Sequence, residues 1–287
     1  MECELWPHLY HSIRLAGGGF HQKSVQYQPW LIVMVVVWAA LHDRPISWAC
    51  QAKNWRTTKL RPLKLPSDST ISKRAKSAGV AMFLYALEGM LRDTQHPQLV
   101  ALLDAKPLPV GGATKDHSAT YGYAAGVMAK GYKIHTIWAG RSIPEVWEVM
   151  PLNVSEVTMA KELVSRLHHG GYLVADANYD GNELSDIAGA RGYQLLAPSG
   201  SPNAGKGHHY QSSYRLRSIQ LLQDRFGEDL LAYRRQVERN FGNAVAFGGG
   251  LSPLPGWVRT MPRVRTWVWA KLLINATRIL KLKGLTA

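Results

Sequence analysis

Apolar runs of two kinds alternate with polar stretches along the chain. Residues 30–41 form an unbroken apolar run, with Val35-Val36-Val37 between Trp30 and Trp38. They predict a buried helix, although the β-branched content leaves a strand open. Before them, residues 1–25 carry Gly17-Gly18-Gly19 and little periodicity, and predict a loosely ordered arm. After them, a turn and a Ser cap at Ser47 predict a short helix over 48–52. Leu65-Pro66-Ser67-Asp68 predicts a second one, carrying Lys73 and Arg74. Short helix, turn and short basic helix make the outline of a helix-turn-helix, equally that of a small helical subdomain that only packs.

From about residue 97 the texture becomes strand-like. Leu99-Val100-Ala101-Leu102-Leu103-Asp104 predicts a buried strand closed by its aspartate. Residues 123–128 and 132–138 predict two more strands, with Lys130-Gly131 as their hairpin turn. Met159, Leu163 and Leu167 share one face of a helix over 156–168. Gly171-Tyr172-Leu173-Val174-Ala175-Asp176 is another strand closed by an aspartate, followed by a helix over 182–190 and a strand at 193–198. Residues 199–213 read as a loop, and helices follow at 215–224, 228–246 and 264–282. Strands alternating with helices after a hairpin predict an α/β fold. Its mixed sheet is flanked by helices (residues 96–287) and preceded by a mostly helical N-terminal domain (residues 1–95).

Composition narrows the partner. The 287 residues contain 34 Lys and Arg against 20 Asp and Glu, a formal net charge of +14. Such an excess favours a polyanion, because each cationic contact to phosphate releases counterions. Two cysteines in no metal-type spacing exclude a disulfide framework or a zinc site, and the histidines form no metal pattern. The run at 30–41 is shorter than the roughly 20 residues that span a bilayer and lies too far along for a signal peptide. A cytoplasmic protein without membrane attachment is the expectation.

Against this basic background three carboxylates stand out. Asp104 and Asp176 close buried strands, and Glu238 lies within the helical Tyr233-Arg234-Arg235-Gln236-Val237-Glu238-Arg239-Asn240-Phe241. A carboxylate is expensive to leave unpaired in an interior. Two strand-end aspartates with a helix glutamate make a hard oxygen cage for Mg²⁺ or Mn²⁺. Two such ions would suit in-line phosphoryl transfer on nucleic acid. Taken singly, each has an ordinary alternative: a turn or helix cap for Asp104 and Asp176, an ion pair with Arg234 or Arg235 for Glu238. Asp180 reads as the N-cap of the helix starting near Asn182.

Together the blocks Leu102-Leu103-Asp104, Val174-Ala175-Asp176-Ala177-Asn178-Tyr179-Asp180 and Arg235-Gln236-Val237-Glu238-Arg239-Asn240-Phe241-Gly242 resemble those of DDE-type bacterial insertion-sequence transposases. The middle block is similar to their D-x-G-Y-D/S signature, the last to R-x-x-x-E-R-x-F. The resemblance implies an RNase H-like catalytic domain over about residues 97–285, acting as a metal-dependent endonuclease and strand transferase. Asp104 would bridge two ions, with Asp176 and Glu238 holding one each. Arg234, Arg235 and Arg239, recurring on neighbouring turns around Glu238, suit clamping of DNA phosphates, and the helix-turn-helix outline would bring Lys73 and Arg74 to DNA. Terminal inverted repeats and target DNA would be the partners of a homodimer. Asn178 departs from the family's glycine. Leu231 and Val245, seven residues either side of Glu238, replace its usual Tyr and Lys. A nuclease or resolvase of the same fold, and an inactive DNA-binding relic, are the neighbouring alternatives. Trp257, Trp267 and Trp269 lie among Arg259, Arg263, Arg265 and Lys271. They read either as base-stacking groups or, for Trp267, as packing of the last helix on the sheet.

Overall fold

The computed structural model describes residues 2–23, 25–112, 114–124, 126–200, 210–246 and 250–285. The chain divides into two compact units, one formed by residues 1–95 with 244–287 and the other by residues 96–243.

The first unit opens with α1 (Glu2–Gly17), where the sequence had suggested an arm. Leu5, Trp6, Leu9 and Ile13 recur at helical spacing and are buried, and that stripe makes the segment a helix. α2 (Pro29–Leu41) starts with proline in its first turn and is apolar on all sides. It is therefore enclosed, packing against α1, α3 (Ile46–Ala49), α4 (Asp68–Arg74) and α5 (Ala78–Asp93). Trp6, Trp38 and Trp55 meet with ring centroids 4.6 to 5.5 Å apart. Each indole N–H donates to a carbonyl, of Leu60, Asn54 and Ala49 respectively, so these rings are buried without leaving a polar group unmet. Ser67 caps α4 by accepting from the Thr70 N–H. In α3 the N-cap position is Pro45, with no side-chain cap bond, and Ser47 lies inside the helix.

The second unit is a six-stranded mixed sheet. Its strands are β1 (Val100–Pro109), β2 (Thr120–Ala124), β3 (Val127–Trp138), β4 (Val146–Pro151), β5 (Gly171–Val174) and β6 (Tyr193–Leu196). β1 lies between β3, antiparallel to it, and β5, which runs parallel and is followed by parallel β6. β2 and β4 occupy successive lengths of the far edge of β3. The order β4-β3-β1-β5-β6 is that of an RNase H-like sheet. α6 (Glu156–Ser165) and α7 (Asn182–Ala190) cover one face. Ala160, Leu163, Leu184 and Ala188 close there over Leu103, Ile137, Leu173 and Leu195. α8 (Ser213–Leu221), α9 (Arg225–Ala232) and α10 (Arg234–Ala246) follow, where one helix had been expected over 228–246. Most of the expected loop at 199–213, including His208 and His209, lies outside the described residues.

Two local expectations are corrected. The β2–β3 turn lies at Gly126, whose φ of +84° suits glycine. Gly131 is instead inside β3, where a Cβ would come within 2.5 Å of the Leu108 carbonyl oxygen. Asp104 does not close its strand. β5 pairs only with residues 100–102, while β1 continues to Pro109 along β3, so Asp104 sits where the parallel neighbour has ended. That open edge also tolerates Pro107, which has no N–H to give.

Residues 244–287 return to the first unit, where α11 (Met261–Leu282) packs against α2 and α1. The sequence pattern groups it with the sheet. Trp267 and Trp269 are both buried although they stand about 200° apart around the helix. α11 is thus enclosed, and neither indole is a base-stacking surface. Among the described residues, no helix is long and apolar enough to cross a membrane.

Candidate active site

Asp104 and Asp176 lie just beyond the last β1–β5 pair, near enough for the Asp176 charge to act on Asp104. Asp104 Oδ1 accepts the N–H of Ala105 at 2.8 Å. Burial pushes its carboxyl up to about 6, with Asp176 and Glu156 adding to the rise and the Ala105 N–H and Arg234 opposing it. Asp176, two residues beyond β5, caps the 3-10 turn Ala177–Tyr179 by accepting from the Asn178 N–H at 2.9 Å. Its other oxygen lies 3.6 Å from Arg234 Nη2. The cap alternative for Asp176 therefore holds alongside its place in the cluster.

α10 passes over the sheet face that carries Asp104. In the β1–β3 register Asp104 pairs with Thr136, so Lys106 and Trp138, two residues on, share its face. Phe241 of α10 meets both, at 6.5 Å between ring centroids for Trp138 and 5.8 Å from Lys106 Nζ. Arg234 contacts Asp176 at the helix's first turn. Glu238 lies between these two anchors, on the stripe 234, 238, 241 that helical spacing creates. Its side chain is exposed, and among the described residues no three of His, Cys, Asp and Glu converge closely enough to hold a metal ion. The structure thus brings Asp104 and Asp176 together and leaves Glu238 one turn beyond Arg234, outside their cluster. Arg235 and Arg239 are exposed on the same helix.

Sequence reasoning missed the groups that brace this pair. Glu156, in the first turn of α6, accepts from Lys133 Nζ at 2.6 Å and from the Tyr179 hydroxyl at 3.3 Å. Tyr179 is buried, and burial with the charges of Glu156, Asp104 and Asp176 holds its hydroxyl firmly protonated. Asp180 is not the N-cap of α7, which is Gly181. Arg215 of α8 grips it with two hydrogen bonds, at 2.7 and 2.8 Å. The segment 176–180 is therefore tied through its last two residues, by the Tyr179 hydroxyl bond to Glu156 and by the bidentate Arg215 guanidinium on Asp180. Ser155 at the N-cap signalled the helix that carries Glu156, but nothing local announced its partners. In the first unit Lys73 is exposed on α4. Arg74 Nη2 is engaged by Gln22 Oε1 and the Tyr27 carbonyl.

Two neighbouring carboxylates, that of Asp104 raised by burial and by Asp176, offer oxygen donors of the kind a hard divalent ion takes. A family model described as "Transposase DDE domain" matches residues 95–270. A search of curated proteins finds no match. Among solved structures, a piggyBac transposase synaptic complex with hairpin DNA is similar at 9% identity, with a TM-score of 0.42. The similarity covers 98% of this chain and 74% of that one.

Proposed function

The chain belongs to the transposase DDE-domain family, and from that premise we propose that it cuts DNA at the ends of a mobile element and joins the freed 3′ hydroxyls to target DNA. The observation that carries this is the pairing of Asp104 with Asp176 under α10, the helix that brings Arg234 to Asp176 and bears Glu238 one turn later. Asp104, Asp176 and Glu238 would hold two Mg²⁺ or Mn²⁺ ions, carboxylate oxygens being the donors such ions prefer. Bound ions supply Lewis acidity toward the phosphate and the leaving 3′ oxygen.

The chain's own side chains do the rest. Arg234 neutralises Asp176 until DNA arrives, then turns to a backbone phosphate. Arg235 and Arg239 hold phosphates along the exposed side of α10. Tyr179 and Arg215 keep the 176–180 segment in place, and Glu156, occupied by Lys133, stays out of the ligand set. Lys73 extends the contact from the N-terminal helical region, whose α4 Arg74 anchors internally. Two copies act on paired ends.

One observation favours a second reading, a DNA-binding protein that no longer cuts: Glu238 stands apart from the two aspartates. A Mg²⁺- or Mn²⁺-dependent cleavage and strand-transfer assay on the element's flanking inverted repeats separates the cases. Wild type is compared with Asp104→Ala and Glu238→Gln. Joining by wild type that disappears in both variants supports the proposal. Cleavage without joining indicates a nuclease, and binding without cleavage the relic.

A further inference from the structure

The β2–β3 hairpin carries a surface that the catalytic cluster does not use. Along β2 the even positions are packed: Thr120 exchanges hydrogen bonds with Asn153 at 2.9 and 3.1 Å. A Cβ on Gly122 would meet the Leu152 carbonyl oxygen at 2.7 Å, and Ala124 is buried. The odd positions point the other way. Tyr121 is 59% and Tyr123 72% exposed. Across the ladder Tyr121 pairs with Lys130 and Tyr123 with Met128, itself 59% exposed, so four neighbouring side chains form one outward ridge. Isolated exposed apolar residues are ordinary; a contiguous aromatic ridge on a braced strand is a different matter.

The charge along the hairpin segment has one sign. Between residues 105 and 144 the chain has a single acidic residue, Asp116. That carboxylate is buried, where the Tyr132 hydroxyl and the Ser118 N–H donate to it at 2.5 and 3.0 Å. Lys130 Nζ lies 6.0 Å from the Tyr121 ring and donates to the Thr114 carbonyl, which brings exposed Lys115 and His117 to the same side. Two residues along a strand span about 7 Å, twice the roughly 3.4 Å spacing of stacked bases. Strand positions 121 and 123 are thus separated by the thickness that one base between two rings needs.

We infer that Tyr121 and Tyr123 form a stacking clamp for an unpaired base, with Lys115 and Lys130 on the adjoining phosphates. The partner is a frayed or overhanging DNA end, and the inference rests on the DNA-processing function proposed above. Because β2 is fixed at its base by Thr120 and Gly122, the rings are held in place before the base arrives, and little further ordering is needed on binding. Sequence preference is weak, since every base has a stackable face.

The test uses the full chain and two DNA duplexes of equal length, one blunt and one ending in an unpaired 2-aminopurine. Wild type, Tyr121→Thr/Tyr123→Thr and the ring-retaining Tyr121→Phe/Tyr123→Phe are compared at one salt concentration, after thermal melts establish that each is folded. Expected are quenching of the 2-aminopurine by wild type and the Phe variant, and affinity for the overhang lower by about ten-fold in the Thr variant. Blunt-duplex affinity stays within about two-fold. Equal affinities for all three proteins on both duplexes, with wild type still binding, overturn the clamp alone. No binding of either duplex by wild type overturns the clamp together with the DNA function. A Thr variant that instead loses a concentration-dependent dimer shows the ridge to be an interface between copies, and also overturns it.

Discussion

Arg234 Nη2 lies 3.6 Å from Asp176 Oδ2, while Glu238, one turn further along the same helix, is open to solvent. A guanidinium thus stands beside Asp176, and the Glu238 carboxylate lies in solvent to one side. The Arg234–Asp176 pair is partly solvated, so removing it costs little directly, at most about 1 kcal/mol. Its larger effect is on the neighbours, because Arg234 also opposes the rise of the Asp104 carboxyl. Arg234→Met is expected to lower the melting temperature in chelator and to enlarge the upward shift on adding Mg²⁺ or Mn²⁺. Arg235→Ala and Arg239→Ala leave both quantities unchanged and weaken DNA binding. Calorimetric melts with and without ion measure this, and an equal ion-induced shift in wild type and Arg234→Met would refute it.

Asp104 sets activity against stability. Its carboxyl is raised from 3.8 to about 6 by burial first. Between those values the folded protein holds a proton that the unfolded chain has released. Stability from this group therefore falls as pH climbs from about 4 to 6, and the full penalty, up to about 3 kcal/mol, stands at neutral pH. Asp104→Asn removes the charge and keeps the shape. Denaturant melts in chelator at pH 7 should show it more stable than wild type by about 1–3 kcal/mol, while metal-dependent cleavage is lost. At pH 4 the two proteins should converge.

His135 supplies the opposite slope. It is buried on β3, and among the described residues its Nε2 has no hydrogen-bond partner. Burial, helped by Lys133 and opposed by Glu156, lowers its pKa from 6.5 to about 4. Between these values the unfolded chain takes up a proton that the folded one refuses, so stability falls as pH drops through that window by about 3 kcal/mol. His135→Leu should flatten this part of the stability–pH curve. An unchanged slope between pH 7 and 4.5 would mean that another group carries it.

How far these features were legible in the chain depended on distance along it. Asp104 and Asp176 stand out because an acid directly after a buried apolar run needs a reason, and in the structure the Asp176 charge acts on Asp104. Lys133 and Glu156 are 23 residues apart and meet only when α6 packs beside β3, so no local pattern joins them. The two glycine signals at 126 and 131 look alike in sequence. One serves a left-handed turn and the other the approach of Leu108 from a distant strand. Gly17-Gly18-Gly19 suggests an arm and masks the stripe Leu5, Trp6, Leu9, Ile13 in a helix that packs on α2, α5 and α11. In α11, Trp and Arg in alternation left base stacking and packing both open, and burial of Trp267 and Trp269 decides for packing.

Within α11 the buried Lys271 gives the sharpest asymmetry. Its Nζ is within 2.6 Å of Asp43 Oδ1 and 2.7 Å of the Ala40 carbonyl, and lies 4.8 Å from the Trp267 ring. Burial lowers its pKa, with Asp43 opposing. The Lys271 side chain is 1% exposed and that of Asp43 36%, so the two partners do not suffer alike from losing each other. Asp43→Asn removes the counter-charge of a buried ammonium, and should destabilise by about 3 kcal/mol. Asparagine keeps the left-handed backbone that Asp43 adopts at φ 49°, so strain does not confuse the result. Lys271→Met retains the volume and leaves an aspartate that water reaches, and should change stability by less than about 1.5 kcal/mol. Urea melts of both variants and of the double variant close the cycle. The double variant should match Lys271→Met, because once the ammonium is gone the carboxylate has nothing to neutralise.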